Sequence, residues 1–169
     1  NEAYGDGGAL VVEPGARVVL HGVELLANTA SRGGAIATSG ALDTDACYFL
    51  DNYADQRGGA VLVAAGTAML RGGEYALDES GISGGAIHVC DDATTTLSDV
   101  RFFENSSNAG GAVSVETRGT VVIASTEFEC SNFPSALDGP WTDAGSNDLC
   151  SACPADLNGD GEVSYQDLS

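Results

Sequence analysis

The chain of 169 residues contains no lysine, and its strong cations are six arginines: Arg17, Arg32, Arg57, Arg71, Arg101 and Arg118. With 25 acidic residues the formal net charge is −19. Such a surface repels phosphate backbones, which excludes nucleic acid as a partner class. The charge serves solubility and suits divalent cations. It does not imply disorder, because 43% of the residues are hydrophobic. No apolar run approaches the roughly 18 residues that a membrane-crossing helix needs, so no transmembrane segment is expected.

Histidine is nearly absent: His21 and His88 lie far upstream of Cys150-Ser-Ala-Cys153, and no second CxxC accompanies that pair. Zinc ligation there is therefore disfavoured, and a disulfide near the end of the repeats is expected. Cys47 and Cys90 fall inside the repeats and read as small packed residues. The chain starts at Asn1 and stops at Ser169 within an unfinished motif, so a segment of a longer protein is expected. The lack of a signal peptide then carries no message about export.

What is present is a repeat. Gly-Gly-Ala recurs at Gly7, Gly33, Gly58, Gly84 and Gly110, at intervals of 26, 25, 26 and 26 residues. An aliphatic residue follows each time (Leu10, Ile36, Val61, Ile87, Val113). Two positions on stand Val12, Thr38, Val63, Val89 and Val115. A period of two marks a strand with one buried face, so both columns are expected to point inward. A second motif closes each repeat: Leu25-x-x-Asn28, Phe49-x-x-Asn52, Tyr75-x-x-Asp78, Phe102-x-x-Asn105 and a weaker Phe128-x-x-Ser131. Asn tolerates left-handed backbone, and side chains stacked at a fixed interval form ladders. One repeat of about 25 residues cannot bury its own apolar face, but stacked repeats cover one another. The expected fold is all-β: a parallel β-helix over residues 1–137. The leucine-rich alternative lacks its Leu-x-x-Leu-x-Leu pattern, and a β-sandwich would not enforce so regular a period. Pro134-Ser135-Ala136-Leu137 reads as a decayed sixth copy of Gly-Gly-Ala and its aliphatic follower. Residues 138–153 read as a linker or cap, with Trp141 covering the end of the core.

The pairing of GGA(I/L/V) with Phe-x-x-Asn resembles the repeats of chlamydial polymorphic outer-membrane proteins, and similar repeats occur in many bacterial right-handed β-helix proteins. The resemblance covers roughly residues 5 to 133. It implies a right-handed coil in a secreted or cell-surface bacterial passenger, often adhesive, binding a polysaccharide or a cell-surface glycan. A monomer is expected.

Residues 154–169 carry a different signal. Asp156, Asn158, Asp160, Ser164 and Asp167 place oxygen ligands at positions 1, 3, 5, 9 and 12 of a loop. Gly161 makes the sharp turn at position 6, and Glu162 offers its carbonyl at position 7. Calcium takes six to eight such oxygens, so Ca²⁺ is the expected cofactor. An EF-hand ends on Glu; here position 12 is Asp167. That order resembles the repeat of a type I dockerin, truncated after its first loop. The resemblance implies a cohesin-like partner for the longer protein.

Catalysis has little support in the residues. β-Helices often serve polysaccharide lyases and hydrolases, and dockerins often anchor such enzymes, but that is an analogy of fold. No paired carboxylates of the kind a hydrolase needs are evident. In the strands after each Gly-Gly-Ala, the middle residues (Val11, Ala37, Leu62, His88, Ser114) are expected to face outward. So are those two positions on (Glu13, Ser39, Ala64, Cys90, Glu116). On that face the weak surface-site candidates are His88, Cys90, Ser114 and Glu116, with no third group evident to orient the histidine. Arg32 and Arg57, each directly before a Gly-Gly, are expected to stack one coil apart and to pair with acids such as Asp51 or Asp55. No catalytic residue is assigned. A non-catalytic scaffold with a calcium-binding tail is the reading, and the alternative is a fragment of a pectate-lyase-like polysaccharide lyase or a glycoside hydrolase.

Overall fold

The computed structural model describes residues 1–150 as a parallel β-solenoid of about five turns, with no helix among these described residues. Three parallel sheets run along the coil. The lead sheet, made by the strands that follow each Gly-Gly-Ala, has six members: Leu10–Val12, Ile36–Thr38, Val61–Val63, Ile87–Val89, Val113–Val115 and Leu137–Asp138. A ten-stranded sheet holds the middle of every repeat and includes two long strands, Ala41–Leu50 and Thr67–Ala76. A three-stranded sheet of Thr29–Arg32, Tyr53–Arg57 and Glu79–Ser80 closes the turns before Gly33, Gly58 and Gly84.

The sequence period sets the register directly. Leu10, Ile36, Val61, Ile87, Val113 and Leu137 pair one above the other. The decayed copy is thus a true sixth turn entry, with Gly111 donating to Ser135 and Ala112 to Ala136. The stretch expected as linker or cap continues the coil, because Thr142–Asp143 and Asp148–Leu149 extend the ten-stranded sheet. Trp141 packs, partly buried, against the core. Both inward columns are buried except at the two ends of the coil, where Leu10 and Leu137 are half-covered. Each buried aliphatic side chain contributes on the order of 1.5–3 kcal/mol.

The paired glycines have two separate jobs. The first of each pair sits in the left-handed region, with φ between 61° and 67° at Gly7, Gly33, Gly58, Gly84 and Gly110. The second leaves no room for a side chain, since a Cβ on Gly59 would strike the carbonyl oxygen of Gly85 in the next coil.

The second motif builds two ladders. Phe49, Tyr75, Phe102 and Phe128 stack with ring centroids 4.4, 5.0 and 4.9 Å apart. Beside them runs a buried polar file of Asn28, Asn52, Asp78, Asn105 and Asn132, joined at its open end by Asn1. Each Asn-to-Asn step uses an Nδ2–H donated to the next Oδ1 across 2.8–2.9 Å. The same oxygens also accept the backbone N–H of the preceding rung.

Two expectations are corrected here. The left-handed residue is not the Asn but the one before it: Ala27, Asp51, Leu77 and Glu104 have φ of 49° to 56°. The Asn instead points inward, where its carboxamide satisfies neighbouring coils. The last rung is Asn132 rather than Ser131, whose hydroxyl accepts the Glu104 N–H at 2.9 Å.

Candidate functional site

The expected outward column of the lead sheet is also corrected. Ala37, Leu62, His88 and Ser114 are buried, and only Val11 at the first coil is exposed. The Gly-Gly turn folds back over this face: a Cβ on Gly33 would lie 3.1 Å from that of Leu62, and one on Gly110 would lie 3.0 Å from that of Ser114. His88 is therefore not a surface histidine but one 3% exposed.

The four weak candidates do converge. His88 and Ser114 are register partners, and Ser114 pairs in turn with Asp138. Cys90 and Glu116 follow two positions on. Ligand atoms of His88, Cys90 and Glu116 all lie within 4.8 Å of one another. The orienting group that seemed missing is Ser83, whose Oγ is 3.0 Å from His88 Nδ1. On the other side, His88 Nε2 is 3.5 Å from Arg57 Nη1 and 3.4 Å from Glu116 Oε1. Arg57 Nη1 donates to Glu116 Oε1. Glu116 Oε2 accepts the Asp91 N–H at 2.9 Å, and Ser114 Oγ donates to Asp138 Oδ2 at 3.3 Å. Arg57, Ser83, His88, Ser114, Glu116 and Asp138 line one open groove along the coil.

Arg57 and Ser83 were missed as members, yet a signal was present. Both stand directly before a Gly-Gly, as do Asp6 and Arg32, and the chain bridges Arg57 to Ser83 in parallel. Arg32 and Arg57 do stack one coil apart. Their partners differ from those expected: Arg32 grips Asp6 through two bonds of 2.8 and 2.7 Å, and Arg57 reaches across to Glu116. Neither binds Asp51 or Asp55, because the position before Gly-Gly turns its side chain toward the lead sheet.

Electrostatics follow from this packing. Burial, then the Arg57 charge, holds His88 below its ordinary value, so the ring is neutral at neutral pH. Burial raises the Cys90 thiol, which stays protonated and is not an activated nucleophile. Glu116 lies below the usual carboxylate range, first because the Asp91 N–H donates to it.

Elsewhere the cations are spent in pairs. Arg17 and Arg71 share Asp43, Arg101 meets Glu74, Glu127 and Glu129, and Arg118 meets Asp91 and Asp92. All six arginines thus contact a carboxylate. Cys130 and Cys150 form a disulfide that ties two coils together. Its Cα atoms are 5.1 Å apart, because the last two coils bring these residues together. Cys47 is buried and Cys90 half-buried, both free.

The calcium loop of Asp156, Asn158, Asp160, Glu162, Ser164 and Asp167 lies outside the described residues. Among those described, no helix is long and apolar enough to cross a membrane. Comparison with protein-family models, with curated proteins and with solved structures finds no match to this chain.

Proposed function

We propose that the chain is a secreted or cell-surface scaffold, in which a β-solenoid is displayed and a dockerin-like calcium loop attaches it to a partner. The observation that supports the scaffold reading most is the pairing of all six arginines with carboxylates, in a chain without lysine. A lyase acting on uronates needs an unpaired base and cation to remove a proton and hold the substrate carboxylate. Among the described residues each of the six arginines already contacts a carboxylate, so a substrate carboxylate would have to displace one. The aromatic and amide columns are likewise consumed in stacking. The tail reading rests on the oxygen ligands of Asp156 to Asp167, and the partner it implies is cohesin-like.

Calorimetric titration of the full chain with Ca²⁺ tests the tail. Asp156→Ala and Asp160→Ala should each weaken binding by tenfold or more, on the order of 1.4 kcal/mol, and leave the solenoid melting unchanged. Binding that survives both substitutions overturns the ligand assignment. Incubation with pectate and alginate tests the scaffold reading. No unsaturated product is expected, and turnover would establish the polysaccharide lyase in its place.

A further inference from the structure

We propose that His88, Cys90 and Glu116 form a binding site for a transition-metal ion of the zinc class, a site distinct from the oxygen-rich loop of the tail. The donor set selects the metal. An imidazole, a thiol and a carboxylate are the side chains zinc takes, whereas calcium takes oxygen alone. The spacing suits it as well. The three ligand atoms lie within 4.8 Å of one another, on or directly after lead-sheet strands one coil apart. Donors at zinc bond lengths of about 2.0–2.3 Å stand ~3.3–3.8 Å apart in a tetrahedron; His88 Nε2 and Glu116 Oε1 already stand 3.4 Å apart, so the remaining adjustment falls to the Cys90 side chain.

The ligands are also held in orientation. His88 is buried and its Nδ1 faces Ser83 Oγ at 3.0 Å. In the tautomer that donates Nδ1–H to Ser83, the Nε2 lone pair is free for a metal, 3.4 Å from Glu116 Oε1 and within 4.8 Å of the Cys90 sulfur. Metal-binding histidines are held in this way by a hydrogen bond to the remote nitrogen. Glu116 is fixed likewise by the Asp91 N–H at 2.9 Å.

Between these donors now stands the Arg57 guanidinium, which donates to Glu116 and lies 3.5 Å from His88 Nε2. The donors already hold one cation. Arg57 is 39% exposed at its side chain and reaches the site from the neighbouring sheet, so it can swing to solvent. Ion binding is then an exchange. The Cys90 thiol loses its proton to the buffer, Zn²⁺ bonds to Sγ, Nε2 and a Glu116 oxygen, and Arg57 leaves. Thiolate and carboxylate cancel the two charges of the ion. A water completes the fourth position, facing the groove beside Ser114 and Asp138.

The test is titration of the full chain with Co²⁺ and Zn²⁺ in excess Ca²⁺. A thiolate-to-cobalt band in the near ultraviolet at one equivalent, removed by Zn²⁺, is expected. Cys90→Ser should abolish the band. Glu116→Gln should weaken Co²⁺ binding by about tenfold or more. Arg57→Ala should tighten it by about tenfold, since the competing charge-assisted bond is gone. Circular dichroism confirms that each variant is folded. Absence of the band in the parent chain, its survival in Cys90→Ser, or weaker binding by Arg57→Ala overturns the proposal.

Discussion

Asn52 Nδ2 donates to Asp78 Oδ1 across 2.8 Å, and both side chains are buried within one column of carboxamides. Asp78 is the one acid in that column. Its second oxygen, Oδ2, occupies the place where the other rungs carry an NH₂, and it has no hydrogen-bond partner. A carboxylate there is unpaired and desolvated, whereas a protonated acid restores the missing donor.

The first prediction follows from this rung. Burial pushes the Asp78 carboxyl up to about 8, outweighing the Asn52 hydrogen bonds that pull it down. The native chain therefore holds its proton more tightly than the unfolded chain. The contribution of this group to stability is fully present below pH about 4 and is lost progressively as the pH rises toward 8. Asp78→Asn should remove this slope. Melting temperatures of the two chains should nearly coincide near pH 4 and diverge in favour of the variant by pH 8. A constant difference from pH 4 to pH 8 would show that Asp78 does not titrate as argued.

The second prediction concerns Thr38, a lone hydroxyl in the inward column between Val12 and Val63. It is buried and its Oγ1 has no partner. Thr38→Val keeps the β-branched shape and removes the stranded oxygen, so it should stabilise the coil by about 1–2 kcal/mol. Denaturant unfolding checks this, and a lower midpoint would contradict it.

The third prediction separates two glycines. Gly5 has open space where a Cβ would stand, but Gly59 has the Gly85 carbonyl. Gly5→Ala should be neutral within about 0.5 kcal/mol, while Gly59→Ala should cost about 3 kcal/mol or more. Equal melting temperatures would mean that coils are not in such close contact.

The fourth prediction concerns the Cys130–Cys150 bond, which closes a sequence separation of 20 across the last coils. Replacing both cysteines by serine should destabilise this end by about 3 kcal/mol. Amide exchange should rise in residues 126–149 and stay unchanged near Ile36 and Val61. Uniform exchange along the whole coil would argue against a local tie.

Much of this fold was legible because the Gly-Gly-Ala period is strict. Two columns alternating after each Gly-Gly can be satisfied in one way, so Leu10 to Leu137 line up as read. The coverage of His88 and Ser114 was not legible, because alternation along a strand says which residues share a face, not whether a returning turn covers it. Asn132 was missed for Ser131 because a one-residue slip in a turn leaves the strands on either side in register. The reach of Arg57 to Glu116 spans 59 residues and depends on a long side chain crossing coils, which no spacing rule encodes. The pairing of Cys130 with Cys150 is likewise set by where two coils end.

That one-residue slip shows what the corner tolerates. Between Phe102 and Asn105 there are two residues, and between Phe128 and Asn132 there are three, yet the rings stack and the amides join in both cases. The corner between ring and amide is therefore an expansion joint: it takes two residues or three while each turn of the thread stays seated on the last.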